Sequence, residues 1–298
     1  MQYNKIPKTD LSVSQISFGC MSLKGDDEVN ERLIHHAIDH GINYFDTADL
    51  YDSGRNEETV GKALKGKRSS IIVATKVGNE MNADGTSWKW NPTKAYILRA
   101  VDKSLQRLQT DYIDIYQLHG GTIDDPIDET IEAFEILKTQ GKIRAYGISS
   151  IRPNVIREYV SKSTMVSTMI QYSLLDRRPE EKMLDLLDKN DIAVMVRGAV
   201  AKGLLIDKQA KDYLGHSSDE VEQAQTLINQ QSVETRSPAQ TSMQYVLRHK
   251  AVSSAVVGIR TEAQLNDAIK TTTASQLTEQ EYQNLGKSIV AKVYEKHR

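Results

Sequence analysis

The feature that most constrains this sequence is a repeated alternation. Short runs rich in β-branched and aromatic residues are followed, eight times over, by longer stretches with helical periodicity. The strand-like runs fall at 16–19, 43–48, 71–77, 113–119, 145–149, 167–172, 192–198 and 252–258. Several are apolar almost throughout, the mark of parallel strands covered by helices rather than facing water on one side. Helical stretches occupy 28–39, 56–64, 94–108, 128–138, 154–161, 180–189, 239–249 and 262–270. In the third of these, Ile97, Leu98, Val101, Leu105 and Leu108 fall on one face. Pro92, Pro153, Pro179 and Pro238 stand at or just before helix starts, where a missing N–H is harmless. Gly41, Gly66 and Gly141 follow helices and suit left-handed caps.

Eight strand–helix units without a compositional break predict a (β/α)8 TIM barrel, with residues 1–298 as a single domain. The rival is a doubly wound open sheet, which normally carries a glycine-rich phosphate turn after its first strand. Here that turn reads Phe18-Gly19-Cys20-Met21-Ser22-Leu23-Lys24-Gly25 and lacks the pattern. Three segments lie outside the repeat. Residues 2–15 resemble a hairpin that would cover the barrel bottom. Residues 199–238 are too long for an ordinary loop and carry their own helix near 218–231. Residues 275–296 begin with a capping box, Thr278 and Glu281, and predict a C-terminal helix.

A net charge of −2 gives no reason to expect nucleic acid or an anionic membrane as partner. No apolar run approaches the ~20 residues a spanning helix needs. The first residues, Met1-Gln2-Tyr3-Asn4-Lys5, do not resemble a signal peptide, and one cysteine excludes an internal disulfide. A cytoplasmic protein is the simplest expectation.

Four polar residues sit at or just past the ends of predicted strands: Asp46, Tyr51, Lys76 and His119. A buried-looking strand that ends in an ionisable residue is unusual, because an unpaired buried charge is costly. Free tyrosine is a poor acid, with a pKa of about 10, but a nearby ammonium stabilises its phenolate. Asp46 beside Lys76 would keep the lysine charged and fix its place. His119 would orient a carbonyl oxygen from Nε2 or share the proton relay. Together they form a general acid aimed at a carbonyl oxygen. Such a site has no electrons of its own, so a bound cofactor must supply a hydride.

At these residues the chain resembles an aldo-keto reductase, of the bacterial kind close to the group that includes potassium-channel β subunits. The likeness runs from Ile16 to about Ile269. It rests on Gly41-Ile42-Asn43-Tyr44-Phe45-Asp46-Thr47-Ala48 with Tyr51 and Gly54, and on Ala74-Thr75-Lys76-Val77-Gly78. Further matches are Ser104-Leu105-Gln106-Arg107-Leu108, Asp111-Tyr112-Ile113-Asp114, Leu118-His119, Gly141-Lys142-Ile143-Arg144 and Gly147-Ile148-Ser149-Ser150. The resemblance implies that Tyr51 is the general acid, that Lys76 and Asp46 tune it, and that His119 helps orient the substrate, a small carbonyl compound.

It also implies an extended nicotinamide dinucleotide across the C-terminal face of the barrel, and no metal. Gly19, Cys20 and Met21 would lie near the nicotinamide ribose, with Asp46 beneath. Ser149, Ser150 and Gln171 match the carboxamide ligands, although Ser150 replaces the commoner Asn. Arg197 aligns with the aromatic residue that stacks on the ring. A guanidinium there would favour the neutral reduced cofactor over the cationic oxidised one, unless it turned to an acidic neighbour. Gly198, Lys202, Gly203 and Leu204 match a pyrophosphate-gripping loop. Gly258 ends the last strand, and Arg260 beside a helix N-terminus would hold a 2′-phosphate, favouring NADPH over NADH. Gln264 and Asp267 would face the adenosine.

Both tryptophans, Trp88 and Trp90, fall in the loop 78–91 after the third strand, where they would either wall a substrate pocket or pack the loop onto its own helix. Two other readings stay open. Some members of the family sense cofactor as regulatory subunits and keep the same four residues. A barrel lyase or isomerase would instead use Lys76 as a Schiff-base nucleophile.

Overall fold

The structure, a computed structural model, describes residues 1–82 and 85–298. The chain opens with a hairpin of β1 (Tyr3–Lys5) and β2 (Ser12–Ser14). The strand–helix repeat then runs β3 (Ile16–Gly19), α1 (Asp27–Asp39), β4 (Tyr44–Asp46), α2 (Arg55–Ala63) and β5 (Ile72–Val77). A second hairpin, β6 (Asn79–Met81) and β7 (Trp88–Trp90), leads into α3 (Lys94–Leu108). After it come β8 (Ile113–Leu118), α4 (Ile127–Thr139), β9 (Ile143–Ser149), α5 (Pro153–Lys162), β10 (Ser167–Gln171), α6 (Met183–Lys189) and β11 (Ala193–Arg197). The chain ends with α7 (Ser218–Gln231), α8 (Pro238–Leu247), β12 (Val252–Gly258), α9 (Glu262–Lys270) and α10 (Glu279–Ser288).

Eight parallel strands close into a barrel in the order β3-β4-β5-β8-β9-β10-β11-β12, and β12 returns to pair with β3. The expected (β/α)8 barrel is therefore the fold. Local signals set the helix starts. Asp26, Thr93 and Thr261 accept hydrogen bonds from first-turn N–H groups. Ser217, Ser237 and Thr278 form capping boxes, and Pro153 and Pro238 open α5 and α8.

The period of two along each strand sorts residues to the two sides of the barrel wall. Tyr44, Ile72, Ala74, Ile115, Ala145, Met169, Ala193 and Met195 fill the interior, and the N-terminal hairpin closes its bottom with Ile6, Leu11 and Val13. Their alternates, such as Phe45, Val73, Tyr116 and Val194, pack under the helices. Two residues past the interior apolar side chains stand Asp46, Lys76, Gln117, Gln171 and Arg197. The strand period thus makes them the topmost inward layer, at the C-terminal mouth.

Two expectations need correction. The predicted loop 78–91 is partly a hairpin, pairing Asn79 with Trp90 and Met81 with Trp88; its residues Ala83 and Asp84 lie outside the described residues. The C-terminal helix stops at Ser288 rather than reaching 296. Arg177 Nη1 donates to the Gly286 carbonyl and, at 3.0 Å, to that of Ile289, drawing the chain off as an extended tail. That tail runs back over the barrel, and its His297 carbonyl accepts from the Asn154 N–H at the start of α5 (2.8 Å). Among the described residues no helix is long and apolar enough to cross a membrane.

Candidate active site

Lys76 is the centre of the site. It is fully buried, and its ammonium has three protons to place. They go to Asp46 Oδ2 (2.7 Å), the Thr47 carbonyl (2.7 Å) and the Tyr51 hydroxyl (3.3 Å). Burial alone would drive Lys76 towards neutrality, but Asp46 and Tyr51 outweigh it and hold its pKa above the ordinary value. Burial lifts the Asp46 carboxyl as well. With Nζ at 2.7 Å and all three ammonium protons accepted, the pair is nonetheless an ion pair. Asp46 Oδ1 faces the Gln117 amide without closing a hydrogen bond.

Tyr51 follows β4 in a 3-10 turn. Its oxygen accepts from Lys76, and among the described residues no group takes the proton it can donate. His119 meets the Tyr51 ring edge-on, with centroids 5.8 Å apart. Its backbone N–H is anchored on the Val77 carbonyl at 2.7 Å. Burial, with Lys76 and Arg197 adding to it, pushes the imidazole pKa down to about 3, so the ring is neutral at ordinary pH. Nδ1 is buried without a partner. A bare acceptor is less costly there than an unpaired N–H, which assigns the hydrogen to Nε2.

The four residues expected to act together are thus adjacent. Of the remaining candidates, Gly19 ends β3. Cys20 is fully buried, and burial together with Asp46 drives its thiol pKa up, so it is inert, while Met21 is 63% exposed. Asn56 bridges this turn to β4, donating to the Cys20 carbonyl (2.9 Å) and accepting from Thr47 Oγ1 (2.6 Å). Ser149 ends β9. Ser150 is buried, and its Oγ accepts from the Arg152 N–H (3.2 Å).

Gln171 is already engaged: Oε1 accepts from Arg197 Nη1 (2.7 Å) and Nε2 donates to Asp176 Oδ2 (2.8 Å). Arg178 in turn clamps Asp176 at 2.7 and 2.8 Å. Arg197 therefore turns to an amide and not to an acid. The loop 198–204 is coiled in the left-handed region, with φ of 78° at Gly198, 47° at Ala201, 59° at Lys202 and 91° at Gly203. Within it the Ala201, Gly203 and Leu204 N–H groups already donate to the Gly198, Val200 and Ala201 carbonyls (2.8, 2.8 and 3.1 Å), which fixes the coil. Gln225 of α7 holds the loop from outside by donating to the Leu204 and Lys208 carbonyls (2.7 and 2.6 Å).

Gly258 lies against Ser22, whose Oγ is 2.4 Å from where a Cβ would stand. Arg260 is exposed, has no side-chain partner among the described residues, and stands just before the α9 N-terminus. The Gln264 side chain accepts from the Arg260 N–H (3.0 Å). Asp267 is committed elsewhere: it accepts from Ser237 Oγ (2.8 Å) and Gln240 Nε2 (2.7 Å), tying α9 to α8. Trp90 donates to Asp125 Oδ1 (2.9 Å) and lies against Gly78 and Gly120, so it packs its own loop, whereas Trp88 is half exposed.

Sequence reasoning missed a second buried group of charges behind Tyr51. Glu57 is fully buried and accepts from Arg107 and Thr75. Asp49 is buried beside it, and burial, then Glu57, push its pKa up to about 8. The signal was a second carboxylate two residues before Tyr51, in a segment read only as a loop.

Residues 15–289 match the model of the Aldo/keto reductase family. The chain is 49% identical to the Bacillus subtilis oxidoreductase YqkF over 100% of both chains. It is 34% identical to the NADH-specific methylglyoxal reductase of Escherichia coli, covering 70% of this chain and 71% of that one. The holo form of aldo-keto reductase AKR11C1 from Bacillus halodurans superposes with a TM-score of 0.94 at 49% identity, covering 100% of this chain and 99% of the other. With its eightfold barrel and its buried Lys76–Asp46 pair beside Tyr51, this chain belongs to the aldo/keto reductase family.

Proposed function

We propose that this chain reduces aldehydes or ketones to alcohols with NADPH, using Tyr51 as the general acid. The single observation that carries this is the Tyr51 hydroxyl: its oxygen is held by a charged lysine, and its proton is promised to no other group. When bound, the nicotinamide supplies a hydride from C4. Tyr51 gives its proton to the carbonyl oxygen, the neutral His119 donates from Nε2 to hold that oxygen, and Lys76 stabilises the phenolate left behind. Asp46 keeps Lys76 charged throughout. The same groups run the reverse oxidation.

The residues of the mouth fit the cofactor. Gly19, Cys20 and Met21 would line the nicotinamide ribose, and Ser149, Ser150 and Gln171 would take the carboxamide. Arg197, bonded to Gln171 Oε1, would then stand near the nicotinamide as well. Tight binding of NADP+ that is unchanged in Arg197→Leu would remove the claim that Arg197 favours the reduced form. The coiled backbone of 198–204 would grip the pyrophosphate. Arg260, cationic and unpaired, would hold the 2′-phosphate, with Gln264 beside the adenosine; Asp267 is better read as a tie between helices. A relative is named as NADH-specific, so the preference is tested by Arg260→Ala. We expect about tenfold or greater loss of NADPH affinity with NADH little changed, from the loss of a charge-assisted phosphate contact. One free cysteine suits a reducing compartment, and we place the protein in the cytoplasm.

A cofactor sensor with slow or no turnover is the rival, and no feature of the site favours it. The Schiff-base reading is weaker still: all three Lys76 protons are bonded and its pKa is raised, so no free amine is offered. The deciding experiment follows NADPH oxidation against a panel of aldehydes, ketones and sugars, with wild type and Tyr51→Phe side by side. Turnover that collapses in the mutant while NADPH still binds supports the proposal. Tight NADPH binding by an inert wild type would move the weight to the sensor.

A further inference from the structure

Lys76 is fixed by three acceptors, but the Tyr51 side chain has one hydrogen bond, to Lys76, whose Nζ also lies 4.8 Å from the ring centroid, and one edge contact with His119. Its placement therefore depends on the turn that carries it. That turn is unusual: Asp52, Ser53 and Gly54 follow in succession with φ of 49°, 54° and 93°. For the two non-glycine residues this conformation costs on the order of 1 kcal/mol each, so surrounding contacts must impose it.

Arg107, in the last turn of α3, supplies the contact. Its Cδ lies 2.9 Å from where a Cβ on Gly54 would stand, so the side chain runs directly against the turn. Its guanidinium ends on Glu57 Oε2, with Nε at 2.7 Å and Nη2 at 2.6 Å. The other oxygen of Glu57 accepts from Thr75 Oγ1 at 2.5 Å, and Thr75 is the residue before Lys76. Gly61 lets α2 lie on the end of α3; a Cβ there would be 2.6 Å from the Leu108 carbonyl carbon. One buried carboxylate at the start of α2 thus joins the turn of Tyr51, the end of α3 and the strand of Lys76.

We propose that Glu57 and Arg107 are positioning residues for proton transfer, a buried clamp that sets the separation of Tyr51 from Lys76. The inference rests on the reading of Tyr51 as the acid. Neither residue is among the groups assigned above to substrate or cofactor; both act through the turn and the strand. The plain structural reading is a core ion pair that only stabilises the barrel, and the two differ in kinetics.

The test uses the full chain with NADPH and an aldehyde that wild type reduces. Variants are Glu57→Gln and Thr75→Val; the latter keeps the Arg107 pair and the side-chain volume, so it guards against misfolding. Misplacing a reacting group by about 1 Å costs about 100-fold. On that scale we expect kcat to fall about 30-fold in Glu57→Gln and about fivefold in Thr75→Val. KM and the NADPH dissociation constant should stay within about twofold, because the clamp does not reach the binding groups. The solvent deuterium isotope effect on kcat should rise as proton transfer becomes slower. Unchanged kcat in folded variants overturns the proposal. So does a fall in kcat with no rise in the isotope effect, or with KM and cofactor affinity worsening alongside. Tyr51→Phe separates the two claims. If it keeps turnover, the reading of Tyr51 fails; if it loses turnover while Glu57→Gln and Thr75→Val do not, only the clamp fails.

Discussion

Each end of the barrel buries an aspartate against cations, and the two are finished differently. At the bottom, Asp114 is fully buried with both oxygens taken: Oδ2 by Arg68 (2.7 Å) and the Val73 N–H (2.9 Å), Oδ1 by Arg144 (2.8 Å). Arg144 also reaches Asp10. At the top, Asp46 has one lysine and an open Oδ1, Asp49 has an open Oδ1, and His119 has an open Nδ1. Unmet hydrogen-bonding capacity in a low-dielectric site is costly, and it collects where a barrel does its chemistry. The closed set has no bonding capacity left to offer; under the proposed function, the open set is what reacting groups would use.

The sharpest way to break this comparison is to disable one aspartate network at a time. If Tyr51 is the acid as proposed, Lys76→Met should lower kcat by about 1,000-fold or more, since it removes the charge beside the phenolate. Asp114→Asn should leave kcat of the folded protein within about twofold and lower stability by about 3 kcal/mol, the scale for a broken buried ion pair. Denaturant melts and initial rates on both variants check it. An inactive but stable Asp114→Asn would show that the bottom network reaches the chemistry.

A smaller effect comes from pH, and here two of the top residues with perturbed pKa values, His119 and Asp49, act in opposite directions. The folded state lowers the His119 pKa to about 3. Its neutral form contributes stability that is complete above about pH 6.5, the ordinary histidine value, and is lost as pH falls towards 3. The folded state raises the Asp49 pKa to about 8. Its protonated form contributes stability that is complete below about pH 4 and is lost as pH rises towards 8. Asp49→Asn should therefore match wild type near pH 4 and exceed it by a few kcal/mol at pH 8.5, whereas His119→Gln should gain relative to wild type only in acid. Urea melts at the two pH values decide. An Asp49→Asn advantage that does not grow with pH would mean that Asp49 is ionised in the fold.

Much of this was legible in the sequence because the barrel rests on periodic signals. Every predicted barrel strand and its helix formed within a few residues, since β-rich runs, capping boxes and N1 prolines act locally. The adjacency of Asp46, Lys76, Tyr51 and His119 was legible too, because strand ends in a closed barrel must converge. What escaped notice was set by contacts remote in sequence. The joining of Glu57 to Arg107 and Thr75 needs α2, α3 and β5 folded together. The engagement of Gln171 by Arg197 and Asp176, and of Asp267 by Ser237 and Gln240, depends on side-chain geometry that no spacing encodes. The helix predicted to reach 296 stops at 288 because Arg177, over a hundred residues earlier, takes carbonyls at its end.

The smallest effect concerns the rim, which is neither closed like the bottom nor open like the proton site. Trp90 is half-buried, its indole N–H is spent on Asp125, and Asp125 also accepts from the Thr122 N–H (2.7 Å) and hydroxyl (2.8 Å). One indole thus ties the β6–β7 hairpin to the loop that follows His119. The Trp88 side chain has no hydrogen bond among the described residues and Trp88 leaves 50% of its surface exposed. Trp90→Phe loses the bond and also the far edge of the indole that lies against Gly78 and Gly120, which should cost at least about 1 kcal/mol of stability. Trp88→Ala should leave stability unchanged and shift KM for bulky aromatic aldehydes by about threefold, with small aldehydes unaffected, as one exposed aromatic contact would. If instead Trp90→Phe alone altered the choice between bulky and small substrates, the rim would be specifying through the loop after His119, and the packed tryptophan would be the one the substrate feels.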